Sequence, residues 1–324
     1  MAKTLPRPGT TTTLDFDHLV QHSVESLRRI EDMAKWERMG PRQAIFLAEE
    51  MVAHGHLGAL PLIGQLQQHP GHAFRDYAMV LERCHRIVRE RYRLEEVDRT
   101  RIVRAYRKSG YLLFEGDRNS RKLLVIFATI FNNFYISHLA LHAMLKDIGC
   151  HLLILKDSSL ANYQRGVAEF ASDPAGIADK IQATARQLGA EKIYLSGFSS
   201  SGYPALWTSL VIPCDGYLGF SQATDLSLTS SLPLYWFFNE AVRARLDPRW
   251  LEDLRIRLED ADPAVPRVLY YGADWAKDVA HAEHLAGLST IRLERLEGVG
   301  HGTVQHLLSE GRLIETFAQL IADR

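Results

Sequence analysis

The chain has 324 residues, of which 46% are hydrophobic and 24% charged, with a formal net charge of −1. Such a balance suits a soluble globular protein and gives no electrostatic basis for a nucleic-acid or membrane-surface partner. Three scattered cysteines, Cys84, Cys150 and Cys214, form no CxxC pair, so neither a disulfide framework nor a zinc site is expected. Met1 to Leu14 is polar and threonine-rich without the apolar core of a signal peptide, and no apolar run approaches a membrane span. A cytoplasmic, reduced setting is the expectation.

Residues 1–97 read as a helical region. Asp15 to Met39 carries apolar residues at helical spacing and stops at Gly40-Pro41. Pro41 suits the first turn of a second helix through Ala44, Leu47, Ala48 and Met51, ending near Gly55. Leu57 to Leu66 is a third helical stretch, interrupted by Pro61, and His72 to Tyr92 is a long fourth. The arginines between Arg83 and Lys108 alternate with Glu82, Glu90, Glu95, Glu96 and Asp98, which marks a solvated face. These helices offer a docking surface for a second copy of the chain or another protein.

The texture changes near residue 98, where a second domain reaching 324 is expected. Ile102 to Tyr106 and Tyr111 to Phe114 flank Lys108-Ser109-Gly110 and predict an antiparallel hairpin. Asp117-Arg118-Asn119 makes a turn, and Leu123 to Phe127 is the unbroken apolar run of a strand covered on both faces. Helices over 137–148, 176–188, 204–210 and 279–285 then alternate with strands over 152–155, 192–195, 216–220, 267–271 and 290–293, and a last helix covers 304–321. Alternation of this kind predicts an α/β domain with a mostly parallel central sheet. An irregular insertion of about 224–264 interrupts it.

The segment carrying the most chemistry is Lys192-Ile-Tyr-Leu-Ser-Gly-Phe-Ser-Ser-Ser-Gly-Tyr-Pro204, a buried strand running into a serine-rich turn and a helix. A nucleophile placed on so tight a turn needs small residues two before and two after it. Ser196 has Tyr194 two before, Ser200 has Phe198 two before, and Ser201 has Tyr203 two after. Ser199, between Gly197 and Ser201, meets the requirement, with Ser201 standing where glycine is usual. Gly197 and Gly202 also have the spacing of a phosphate-binding loop, but Tyr203-Pro204 follows where Lys-Ser/Thr is required. No dinucleotide fingerprint follows any predicted strand.

From about residue 100 onward the chain resembles the α/β-hydrolase superfamily. The residues that carry the likeness are Gly197 to Gly202, the loop Tyr271 to Asp278, and Gly300-His301. The resemblance implies a leading antiparallel hairpin, a mostly parallel sheet, a cap at 224–264, and a triad of Ser199, His301 and one acid, with no metal and no organic cofactor. Gly272-Ala-Asp-Trp-Ala-Lys-Asp278 offers two acids. Asp274 sits at the usual offset after the strand. Asp278 opens Asp-Val-Ala-His-Ala, and similar bacterial sequences place an Asp three residues before a His-Ala pair, which favours Asp278 without closing the choice. An oxyanion hole would use the backbone N–H of Ser200 and that of Thr129 or Ile130. Asn132 and Asn133 are candidate substrate contacts or turn formers, and Phe198 and Trp236 are candidate substrate contacts. The aromatic run Tyr235-Trp236-Phe237-Phe238 of the cap either lines a substrate pocket or packs on the core. The implied substrate is a small-molecule or saccharide ester. The same triad would serve an acyltransferase, and a catalytically silent binding or scaffold protein is the reading from another class.

Overall fold

The computed structural model describes residues 44, 48, 51, 52, 59–91, 109–130, 132–136, 138–157, 159, 161–235 and 238–322. The helix predicted over 15–39, the first arm of the predicted hairpin and the expected domain boundary near residue 97 lie outside these residues. The chain divides into two compact units, Met1–Glu82 and Arg83–Arg324. In the first, Ala44, Ala48, Met51 and Val52 are helical and buried, and α1 (Ala59–Gln67) buries Ala59, Leu62, Ile63 and Leu66. Pro61 does not interrupt α1, because it falls in the first turn, where the N–H groups have no intrahelical acceptor to lose. Helix α2 (His72–Arg91) follows.

The second unit is built on seven strands: β1 (Tyr111–Phe114), β2 (Lys122–Phe127), β3 (His151–Leu155), β4 (Lys192–Phe198), β5 (Gly216–Phe220), β6 (Arg267–Gly272) and β7 (Arg292–Leu296). They form one sheet in the order β1-β3-β2-β4-β5-β6-β7. Strand β1 runs antiparallel to β3, and the other pairings are parallel. Helices α3 (His138–Leu145), α4 (Pro174–Leu188), α5 (Gly202–Val211), α6 (Glu240–Arg243), α7 (Leu254–Glu259), α8 (Ala276–His284), α9 (Thr303–Ser309) and α10 (Leu313–Ile321) complete it. This is the α/β-hydrolase fold, with its edge strand reversed and a long insertion between β5 and β6.

Side chains alternate across the sheet with a period of two. Leu123, Val125, Phe127, Leu153, Leu155, Ile193 and Leu195 join residues of α4 and α5 in one core. On the opposite face Phe220 packs against Phe134 and Phe317 of α10, with ring centroids 5.8 and 6.1 Å apart. Because both faces are covered, the inner strands read as continuous apolar runs.

Several boundaries depart from the predicted ones, three of them with a clear physical reason. The turn at β4 comes late, so the strand continues through Ser196-Gly197-Phe198 and delivers Ser199 directly at its end. The last strand begins at Arg292 rather than Thr290, whose hydroxyl donates to the Leu258 carbonyl (2.7 Å) outside the sheet. The final helix is two: Gly311, at φ +76°, ends α9 in the left-handed region and α10 starts afresh. No helix among the described residues is long and apolar enough to cross a membrane.

Candidate active site

The carboxyl ends of β2, β4 and β6 and the loop after β7 converge on Ser199. Phe198 is still extended, at φ −126° and ψ 137°, whereas Ser199 is forced to φ +53°. A non-glycine residue reaches that region at a cost, and the surrounding structure must hold it there. The supports are specific. A Cβ on Gly197 would stand 2.4 Å from the Ser201 carbonyl oxygen, so no larger residue fits two positions before the bend. Ser201, in the other small position, is completely buried and its hydroxyl is used: Oγ accepts from Phe198 N–H (3.1 Å) and donates to the carbonyls of Phe127 (2.6 Å) or Phe198 (2.9 Å). Serine at this position therefore fastens the elbow to β2, which a glycine could not do.

Ser199 is 8% exposed. Its Oγ lies 2.7 Å from His301 Nε2. The other ring nitrogen, Nδ1, stands 2.9 Å from Asp278 Oδ1 and 3.1 Å from Oδ2. An ionised carboxylate can only accept, so a neutral ring places its proton on Nδ1 and leaves Nε2 to receive the Ser199 hydroxyl proton. Asp278 is 1% exposed, in the first turn of α8. The histidine loop reaches the site by running across the end of β6: Ala273 N–H donates to Leu296 O and Asp274 N–H to Val299 O, both at 2.9 Å. Asp274 thus serves through its backbone. Its side chain is exposed and makes no hydrogen bond to His301.

The loop after β2 departs from the expected use of Thr129. Its N–H is spent on the Asn133 carbonyl (2.7 Å), while Ile130 N–H donates to Ser200 Oγ (3.0 Å). Asn133 Oδ1 receives Thr129 Oγ1 (3.3 Å) and Tyr135 N–H (3.1 Å), so its carboxamide builds the turn. Asn132 has φ +56°, and its Oδ1 is buried without a hydrogen-bond partner. Phe198 is 2% exposed and packs edge-on against Tyr135 (5.4 Å) and at 39° to the His301 ring (5.5 Å); it backs the site rather than offering a surface to a substrate. Trp236 lies outside the described residues.

Sequence reasoning missed three residues. Gly272 ends β6 where a Cβ would come within 1.9 Å of the Gly300 carbonyl oxygen, so it makes room for the histidine loop. Its only signal was a glycine closing a strand. Trp275 is 43% exposed, with its ring 6.1 Å from that of His301. Tyr235, one of an aromatic run read as cap packing or pocket lining, donates its hydroxyl to Asp278 Oδ1 at 2.7 Å. Burial, with the adjacent Asp278 charge, pushes the Tyr235 phenol well above its ordinary range and keeps it a donor.

Elsewhere, Asp225, Asp253 and His284 bring one ligand-type atom each within 4.8 Å of one another. They are already engaged: Asp253 Oδ1 with His284 Nε2 (2.7 Å) and with Arg255 N–H (2.9 Å), and Asp225 Oδ1 with Ser227 N–H (2.8 Å).

No protein-family model and no curated protein matches the chain. Among solved structures it is similar to MenH from S. aureus (14% identity, TM-score 0.42, covering 65% of this chain and 99% of that one). It is also similar to a truncated carbohydrate esterase from gut microbiota (13% identity, TM-score 0.48, covering 65% and 89%). A third is the carboxylesterase CesB from Bacillus subtilis (15% identity, TM-score 0.42, covering 68% and 95%).

Proposed function

We propose that the protein is a serine hydrolase that cleaves an ester through an acyl-serine intermediate. One observation carries this reading: an unbroken hydrogen-bonded chain from Ser199 Oγ through both nitrogens of His301 to a buried Asp278, starting at a serine held at φ +53°. An ordinary surface serine has neither the backbone strain nor the base.

In this reading Ser199 Oγ attacks the ester carbonyl carbon as His301 Nε2 takes its proton. The imidazolium that forms is stabilised and kept in orientation by Asp278. The carbonyl oxygen becomes an oxyanion facing the Ser200 N–H and the Ile130 N–H, the latter now shared with Ser200 Oγ. Collapse breaks the bond to the alcohol, which leaves with the proton from His301. Water, deprotonated by the same nitrogen, then attacks the acyl-serine, and the carboxylic acid departs from a restored Ser199. Every proton moves through His301, so no cofactor is required. The substrate class is a small-molecule or saccharide ester, with Trp275 at the mouth as a surface for it. The protein partner or second copy expected at the N-terminal helices, and the cytoplasmic setting, stay proposals with it.

The test is covalent. A fluorophosphonate probe should add one label per chain, mapped to Ser199 by peptide mass, and Ser199→Ala should abolish both labelling and p-nitrophenyl acetate cleavage. Labelling that survives Ser199→Ala, or a wild type that neither labels nor turns over short esters, would overturn the assignment.

A further inference from the structure

Asp278 has a second partner that the triad does not call for. Its carboxylate is sealed from water, and a buried charge needs hydrogen-bond donors to be tolerated. His301 Nδ1 supplies one; the Tyr235 hydroxyl supplies another, on the same Oδ1 atom. Tyr235 belongs to the insertion between β5 and β6. It is 3% exposed, its ring stacked on His281 (5.4 Å, 13°) and inclined to His301 (5.4 Å, 44°).

The placement of Tyr235 is not left to one bond. Helix α8 holds residues 233 to 235 from a single turn: Lys277 Nζ donates to Leu234 O (2.6 Å), Asp278 accepts from Tyr235, and His281 Nε2 donates to Pro233 O (3.2 Å). His281 Nδ1 accepts from Thr224 N–H (3.1 Å), near the beginning of the insertion. Burial lowers His281 to about 4, against the bond to Pro233 and the charge of Asp278. It therefore stays neutral, with Nε2 the donor and Nδ1 the acceptor. Asp278 and His281 are three apart, on one face of the helix. The Asp-Val-Ala-His-Ala pattern is thus a dock whose first residue is also the acid facing His301.

We propose that Tyr235 is a positioning residue of the triad: its hydroxyl holds the Asp278 carboxylate in place for His301 and, by the same bond, makes the inserted segment a working part of the active site. This rests on the serine-hydrolase reading. Among the described residues, the titratable and charged groups around Asp278 are His301 from the loop after β7, Tyr235 from the insertion, and Lys277 and His281 from its own helix. A phenolic O–H directed at Oδ1 takes up part of the carboxylate charge. Without it, the carboxylate charge of Asp278 is less well compensated, which favours the protonated form of the Asp278–His301 pair.

The experiment replaces the hydroxyl and keeps the ring. The titration of the His301 imidazole, assigned by its disappearance in His301→Gln, is followed by NMR in the full-length wild type, Tyr235→Phe and Leu234→Ala. Tyr235→Phe should move the midpoint up by about one pH unit or more, the scale of one hydrogen bond to a charged group. The acid limb of kcat/KM should move with it. Leu234→Ala loosens the same segment without touching the hydroxyl and should leave the midpoint in place. An unmoved midpoint in Tyr235→Phe, or an equal displacement in Leu234→Ala, overturns the proposal. Fluorophosphonate labelling of the wild type keeps the two failures apart. A labelled wild type with no shift sinks the role of Tyr235 alone, whereas an unlabelled wild type sinks the hydrolase reading and the positioning role with it.

Discussion

Gly272 and Gly300 meet where the last turn of the sheet passes under the histidine loop: a Cβ on the first would stand 1.9 Å from the carbonyl oxygen of the second. The contact sets how closely His301 can approach Ser199. Since the oxygen is backbone and a Cβ has no rotamer to change, nothing relieves the clash locally, and Gly272→Ala must push the loop outward. A displacement of about 1 Å in a reacting group costs roughly 100-fold in rate, and overpacking costs about 1–3 kcal/mol in stability. Ester turnover and thermal unfolding of Gly272→Ala check this; wild-type kcat in the variant would refute the role given to Gly272.

The two acids that the sequence left open should separate in turnover. Asp278→Asn keeps the shape but presents an amide to His301 Nδ1, and a loss on the order of 10⁴ in kcat is the expected scale. Asp274→Asn alters an exposed side chain whose backbone N–H does the bonding, so kcat should stay within a few-fold of wild type. Comparable losses in both variants would contradict the geometry.

Ser201 should be a stability residue rather than a chemical one. Ser201→Ala leaves Phe198 N–H without its acceptor and removes the donor from Phe127 O. Burying such unpaired groups costs about 1–3 kcal/mol. Chemical denaturation should show this loss while the fluorophosphonate still labels Ser199. Loss of labelling in a folded Ser201→Ala would mean that the hydroxyl acts in the reaction.

Acid should weaken the fold before it protonates most carboxylates. Burial lowers both His142 and His281 to about 4. The unfolded chain binds their protons from about pH 6.5 downward, while the folded chain refuses them until about pH 4. Stability is therefore complete above about pH 6.5 and is lost as the pH falls through that window, by on the order of 3 kcal/mol for the fully buried His281. Urea midpoints at pH 7 and pH 4.5 test the sign, and a midpoint that rises toward pH 4.5 would exclude it. His281→Gln should flatten the dependence.

Much of this site was legible in the chain itself. Steric reasoning about a tight bend singled out Ser199 among four serines, because Tyr194, Phe198 and Tyr203 are too large for the positions flanking the other three. Apolar runs located the inner strands because a strand covered on both faces has no polar alternation to hide it. Edges were less legible. Thr290-Ile291 looks like strand by composition, yet pairing register with β6 begins at Arg292.

What only tertiary structure decided is which of several similar groups meets a partner distant in sequence. Asp274 and Asp278 are both carboxylates after one strand; the path of the loop 298–302 sends His301 to the second. Thr129 and Ile130 are adjacent N–H groups, and the turn closed by Asn133 uses up the first. Tyr235 and Asp278 are 43 positions apart, and nothing in local propensity links a phenol to a carboxylate over that separation. Sequence dictates local geometry through sterics and periodicity, which act over a few residues. Hydrogen-bond partners are chosen by the packing of whole elements, and that choice exists only once the chain has folded.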